Sequence, residues 1–135
     1  MKGWIEIEVY DRQGRLRQRQ VVHNYTFDVH KTDFVASGVS GISSIGIGTD
    51  NSSGSASDSP TLKSVLREES CSKAEEGDFG LVCSHTFTYF DATYDIWEVG
   101  LKLSNGKYLT RAVLNDSATV DPNNNLKVTY HFTVE

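Results

Sequence analysis

Cysteine is scarce in this chain: Cys71 and Cys83 are the only two in 135 residues. Two thiols with no histidines at matching spacing do not make a zinc site. They flank "SKAEEGDFGLV", whose Gly77 sits midway between them. That spacing fits a hairpin in which the two thiols face each other at a separation a disulfide can span. It also fits two half-buried free thiols in a reducing cytosol. Long apolar runs are missing as well, and no stretch approaches the ~18 residues of a membrane helix. The opening "MKGWIEIEVYDRQ" alternates apolar and charged residues, so it holds no uninterrupted signal core, and a chain made without export is expected. Positive charge is in deficit: 13 Lys and Arg against 18 Asp and Glu leave a formal charge of -5. Nucleic acid and anionic membrane surfaces are therefore not expected as partners, because both reward a surplus of cations.

The motifs of common chemistries are absent in turn. "GIGTDN" starts like a dinucleotide fingerprint, but Asn51 stands where the third glycine belongs and no helix-opening pattern follows. No Gly-Lys-Ser/Thr is present to cradle phosphate. "DNSSGSASD" offers oxygens, yet an EF-hand loop wants a bidentate Glu at its twelfth position, where Thr61 sits. "GVSGIS" misses the nucleophile-elbow pattern by one residue. His23, His30, His85 and His131 follow no zincin spacing. Asp91 and Asp95 bracket the aromatic turn "FDATYD" in a way that could bind a sugar or a cation, but turn capping explains them more simply. The pairs Glu6/Glu8, Glu68/Glu69 and Glu75/Glu76 suit solvated strand faces or turns. The expectation is no enzyme, with no catalytic residue, no cofactor and no metal ligand.

What the chain has in plenty is Thr, Ser, Val and aromatic residues in period-two order, which is the pattern of strands with one face buried. Ile5, Ile7 and Val9 alternate with Glu6 and Glu8 before a "DRQG" turn and a returning strand. Ile42 to Ile47, Leu62 to Cys71 and Leu81 to Phe90 read as strands, the last with His85, Phe87 and Tyr89 on one face. Trp97, Val99, Leu101 and Leu103 share an apolar face, and "SNGK" supplies the Asn-Gly of a tight hairpin. Leu126, Val128, Tyr130, Phe132 and Val134 alternate with polar residues to the end. Phe27, Val29, Phe34 and Val35 switch towards helical spacing, which predicts a short helix near residues 27–36. The fold expected is mainly β: a single antiparallel β-sandwich, jelly-roll-like, over residues 1–135, with a flexible Ser/Gly-rich loop at 48–60. Its Gly-x-Gly is expected to let the chain turn sharply as it leaves a strand. The expected core is Ile5, Ile7, Val9, Ile45, Ile47, Leu66, Phe87, Val99, Leu101, Val113, Val128, Tyr130 and Phe132.

Two residues stand out inside this pattern. Arg111 lies within an otherwise apolar strand and is costly there unless paired, so a structural pair with Glu98 across the hairpin is expected. Gly100 beside it suits a close approach of a side chain or strand to the backbone.

The order of segments carries a resemblance. "SIGIGTDNSSGSASDSPTLKSVLRE" resembles a strand and small-polar loop followed by a Leu…Arg strand, and "IWEVGLKLSNGKYLTRAVLND" resembles "ITEVGLF….LLARAVL". "NNLKVTYHFTVE" resembles a closing "LTVTYTLTF". From about Asn24 to Val134 the chain resembles a family of small virion structural proteins of tailed bacteriophages, called tail, tail-fibre or decoration proteins. It departs from the family at "TFDVHK", which lacks the glycine before the helix, and at "VDPNNN", which replaces a Lys-Thr. The resemblance implies a non-enzymatic virion component, assembled in the bacterial host cytoplasm and docking as an oligomer on the tail or its fibres. Decoration of the phage head and a carbohydrate-binding β-sandwich module are the alternatives. The implied partners are other virion proteins and copies of the chain itself, in a trimer or ring. The interface is expected at Trp4, Glu6 and Tyr10 of the first strand and at Asp50, Asn51, Ser52 and Ser53 of the serine loop. The two terminal strands either offer open edges to a neighbour or pair with each other within one chain.

Overall fold

In the computed structural model, residues 2–25, 41–52, 61–76 and 80–133 are described. Nine strands form there: β1 (Lys2–Asp11), β2 (Leu16–Tyr25), β3 (Ile42–Gly48), β4 (Val65–Ser70), β5 (Ser72–Glu76), β6 (Gly80–Phe87), β7 (Tyr94–Leu103), β8 (Tyr108–Val120) and β9 (Asn124–Thr133). They make two antiparallel sheets packed as a sandwich, ordered β2-β1-β9-β6-β5 and β4-β3-β7-β8. The helix expected near 27–36 lies outside the described residues, as does Ser53.

The period-two residues do what their spacing demands. Ile5, Ile7 and Val9 of β1 and Leu126, Val128 and Tyr130 of β9 face Ile45, Ile47, Val99 and Leu101 of the other sheet in one core. The Tyr130 hydroxyl is the core's internal polar group, and the Thr110 hydroxyl hydrogen-bonds it at 3.1 Å from the opposite sheet. The turns follow their residues too. Gly14 after β1 and Gly106 in "SNGK" both take positive φ, 79° and 88°, where a Cβ would be strained.

Several expectations shift. Leu66 and Val113 are half-buried rather than core, because β4 is an edge strand and Val113 points to the sheet's outer face opposite Glu98. The Phe132 side chain lies outside the described residues. Trp97 is also half-buried: a register shift between Ile96 and Glu98 moves the inward series from Trp97 to Ile96, which is wholly buried. Strand β6 stops at Phe87, so Tyr89 does not join the face of His85 and Phe87. It sits at φ 59° and is 92% exposed.

The terminal strands answer the question the sequence left open. β1 and β9 pair with each other from Lys2↔Thr133 to Asp11↔Asn124, and each has a second neighbour, β2 or β6. Neither is an edge, and the alternative of pairing within one chain is the one observed.

The real edges, β2, β5, β4 and β8, are partly sewn together by side chains. Gln18 Nε2 donates to the Ser117 carbonyl at 2.8 Å, and Gln20 Nε2 donates to the Asp116 carbonyl at 2.6 Å. Gln20 Oε1 in turn accepts from the backbone N–H of Asn115 and Asp116. These bonds join β2 of one sheet to the irregular stretch of β8 in the other. On the opposite side, His85 of β6 contacts Glu69 of β4 at 2.7 Å, and Arg67 donates to the Thr88 carbonyl at 2.6 Å. A seam of neutral amides loses little to solvent screening but leaves backbone groups unpaired when removed. Replacing Gln20 with Ala is expected to lower the free energy of unfolding by about 1 kcal/mol, read as a lower urea midpoint at unchanged slope.

Candidate functional site

Glu98 lies on the outer face of the four-stranded sheet, yet none of its surface is exposed. The cover is the chain that leaves β3 and returns to β4. Glu98 Oε2 accepts from the backbone N–H of Asp50 at 3.1 Å and of Ser64 at 2.9 Å. Oε1 accepts from the Lys63 N–H at 2.9 Å and from Arg111 Nε at 2.9 Å. Arg111, itself buried, continues outward to the Ser52 carbonyl at 3.2 Å and to the Asp50 carboxylate at 3.6 Å. Both ends of the serine loop are thereby fixed, with Thr49 N donating to the Ser64 carbonyl at 3.0 Å. The described part of the segment expected as a flexible loop is an anchored one, and its first residue, Gly48, still belongs to β3.

Three glycines make room for this arrangement. Gly46 pairs with Gly100 across β3 and β7, which leaves a shallow bed on the outer face. The Tyr108 ring lies on it. A Cβ on Gly100 would come within 2.7 Å of that ring, and one on Gly46 would strike its hydroxyl and reach 2.9 Å from Leu62. A Cβ on Gly48 would come within 2.5 Å of the Glu98 carboxylate. The Gly-x-Gly is thus not a turn at a strand end. It lies inside β3 and clears space for Tyr108, Leu62 and Glu98. Across the bed, the Tyr108 hydroxyl donates to Glu68 at 2.5 Å, and Lys102 pairs with the same carboxylate at 2.9 Å. Burial, and then the bond to Glu68, pushes the Tyr108 phenol well above its ordinary range.

A carboxylate has about four acceptor sites, and Glu98 has four N–H donors on them. Its hydrogen-bonding capacity is taken up within the fold. The arrangement is an anchor.

The other expected interface residues fall in two places. Asp50, Asn51 and Ser52 lie on the anchored loop, with Asp50 Oδ1 accepting from the Ser52 N–H and hydroxyl. Those bonds hold the Asp50 carboxyl below its ordinary range. Trp4, Glu6 and Tyr10 lie on the outer face of the five-stranded sheet, on β1 between the edge strand β2 and β9. Trp4 stacks on His131 with ring centroids 3.8 Å apart, His131 contacts Glu6 at 2.9 Å, and Glu6 pairs with Arg19 at 3.1 Å. Tyr10 donates to Glu8 at 2.8 Å. Among the described residues, no group of three or more His, Cys, Asp or Glu is placed to hold a metal.

The aromatic turn at Asp91 borders a further feature, whose cleft the sequence did not foresee. A cleft of about 320 Å³ at the β6–β7 end is lined by Leu66, Arg67, Tyr89, Phe90, Asp91 and Tyr94. Tyr94 donates to Asp91 there at 2.5 Å. The only sequence signal was the aromatic turn itself.

Comparison of the chain with protein-family profiles, with curated proteins and with solved structures finds no match.

Two outcomes follow from this site. Glu98→Ala orphans a buried guanidinium and three loop N–H groups at once, so it is expected to cost roughly 3–5 kcal/mol in urea unfolding. The second concerns acid. Burial raises the Glu69 carboxyl, but hydrogen bonds from His85 and Arg67 outweigh it and leave it low. Tyr108 first, and then Lys102 against some burial, keep Glu68 low as well. Carboxyls lowered by folding stabilise the fold above their unfolded values and lose that contribution as pH falls through the folded ones. The melting temperature is therefore expected to stay level from neutrality to about pH 5 and to fall steadily below about pH 4, as a calorimetric pH series reads directly.

Proposed function

We propose that this chain is a non-enzymatic structural component of a tailed-phage virion that docks as an oligomer on the tail or tail fibre. The observation that carries the reading is where the residues of the resemblance stand. Glu98 and Gly100 of "EVGL" and Arg111 of "RAVL" build the loop anchor and its glycine bed, while Val99, Leu101, Ala112 and Leu114 are core. The stretch most like the virion family is spent wholly on architecture. That favours a part that displays a surface over one that turns over a substrate.

Of the surfaces the sequence suggested, the loop and the Trp4 face stay open to neighbours and the terminal-strand edges do not. Terminal strands are internal, so docking falls to the anchored loop around Asn51 and Ser52, to the outer face bearing Trp4, and to the β5 edge. Trp4 is 38% exposed, a useful apolar contact if a partner covers it.

A second reading has its own observation. Tyr89 holds an aromatic ring in solvent at a backbone angle costly for a bulky residue, beside a cleft lined by Asp91 and Arg67. An aromatic face next to a carboxylate suits a sugar ring, which makes a carbohydrate-binding module the alternative. A glycan array separates the two, since the virion reading expects no selective glycan signal that Tyr89→Ala abolishes.

Light scattering at micromolar concentration is expected to give a trimer or larger ring, and mass spectrometry of purified particles of the encoding phage is expected to find the chain. A strict monomer missing from the particles would end the virion reading.

A further inference from the structure

Cys71 is the single residue between β4 and β5, the point at which the chain leaves one sheet and enters the other. It is half-buried, with Sγ 4.0 Å from the Ser43 carbonyl. Cys83 stands on β6 and is wholly buried. The hairpin does not centre on Gly77: Lys73, not Cys71, is opposite Cys83, so the register lies one residue later. Cys71 lies two positions before Lys73, which makes the two cysteines diagonal neighbours across the hairpin. Lys73 flanks both, its ammonium donating to the Ile42 carbonyl at 2.7 Å.

From this geometry we propose that Cys71 and Cys83 are a reactive thiol pair, Cys71 attacking a peroxide or a low-molecular-weight disulfide and Cys83 resolving the product into an intrachain disulfide. The division of roles follows from the surroundings. Cys71 meets solvent, and the hydrogen bond from Cys83, followed by the Lys73 charge, favours its thiolate against some burial, bringing its pKa to about 7. Cys83 faces the Cys71 sulfur and the core, which hold it protonated. A thiolate is the nucleophile in such reactions, so attack starts at Cys71.

With hydrogen peroxide, the Cys71 sulfur takes an oxygen and becomes a sulfenic acid as the O–O bond breaks and hydroxide leaves. The Cys83 sulfur then bonds to it, and the sulfenic oxygen departs with the Cys83 proton as water. Two thiols are oxidised, one peroxide is reduced, and two waters form in all. With a small disulfide, the first step gives a mixed disulfide and one released thiol, and the second step releases the other. The bridge ties the sheet-to-sheet corner to β6. Because the cysteines are diagonal, that corner has to shift towards β6 as the bond forms. This proposal is independent of the virion reading.

The test treats the full chain with stoichiometric hydrogen peroxide and maps its peptides without reduction. A peptide joining Cys71 to Cys83 is expected, with the intact mass down by two hydrogens and the melting temperature raised by roughly 5 °C. In Cys83→Ala, dimedone is expected to trap Cys71 as its sulfenic acid adduct. In Cys71→Ser, Cys83 is expected to react at least tenfold more slowly than Cys71 does in the unaltered chain. Oxidised chain without the internal bridge, with only intermolecular dimers or with equal reactivity at the two thiols, overturns the proposal, and the unaltered chain alone decides this if either variant fails to fold.

Discussion

A carboxylate taken wholly out of water must have its charge balanced and its lone pairs filled, or it destabilises the protein that buries it. Glu98 meets both demands with one guanidinium and three backbone N–H groups, and much of the four-stranded sheet's outer face is arranged around that fact. Thr49 to Ser52 and Thr61 to Ser64 come together there because three N–H groups in those two stretches belong to Glu98. Gly48 has to lack a side chain because the carboxylate occupies the space. Arg111 is buried because it completes the charge, and its remaining donors then reach the far side of the loop at Ser52 and Asp50. One interaction thus fixes the two described ends of a polar, serine-rich connector, around Asp50 and Ser52 on one side and Lys63 and Ser64 on the other.

The same logic of satisfied edges extends to the sandwich as a whole. Antiparallel sheets leave a row of unpaired backbone groups at each border. Here the terminal strands avoid that fate by pairing with each other in the middle of the five-stranded sheet. Gln18 and Gln20 then bond to the β8 backbone on one side, while Glu69 with His85 and Arg67 with Thr88 bridge the other. Among the described residues β5 borders the five-stranded sheet with no strand on its far side, and its residues "SKAEE" are mostly polar and charged, which discourages indiscriminate pairing.

Much of this was legible in the sequence because period-two burial leaves an unmistakable trace. The alternation in β1 and β9, the "DRQG" and "SNGK" turns and the pairing of a lone strand arginine with a nearby glutamate all rest on local rules, and the structure places these groups as those rules require. What stayed hidden was non-local. Partners of a strand are not written in its own residues, so β1 and β9 read equally well as edges or as neighbours. A bulge leaves no mark in composition, so Trp97 read as core until the register shift moved Ile96 inward. The glycines of β3 looked like a turn because the residues that need their space, Tyr108 and Glu98, lie some fifty to sixty positions away. Cys83 pairs with Lys73, two positions after Cys71, so of the two cysteine readings the free thiols are the one observed.

The central claim is that the described ends of the serine loop belong to the folded framework because they cover Glu98. Native-state hydrogen exchange on the unaltered protein tests this most directly, at the amides of Asp50, Lys63 and Ser64. None of the three is in a strand, yet each donates to the buried carboxylate. The account predicts that they exchange nearly as slowly as the core amides of β3 and β7, since opening them requires uncovering Glu98. Exchange at these three positions at the rate of an unprotected loop amide, with the β3 and β7 amides still protected, would contradict it.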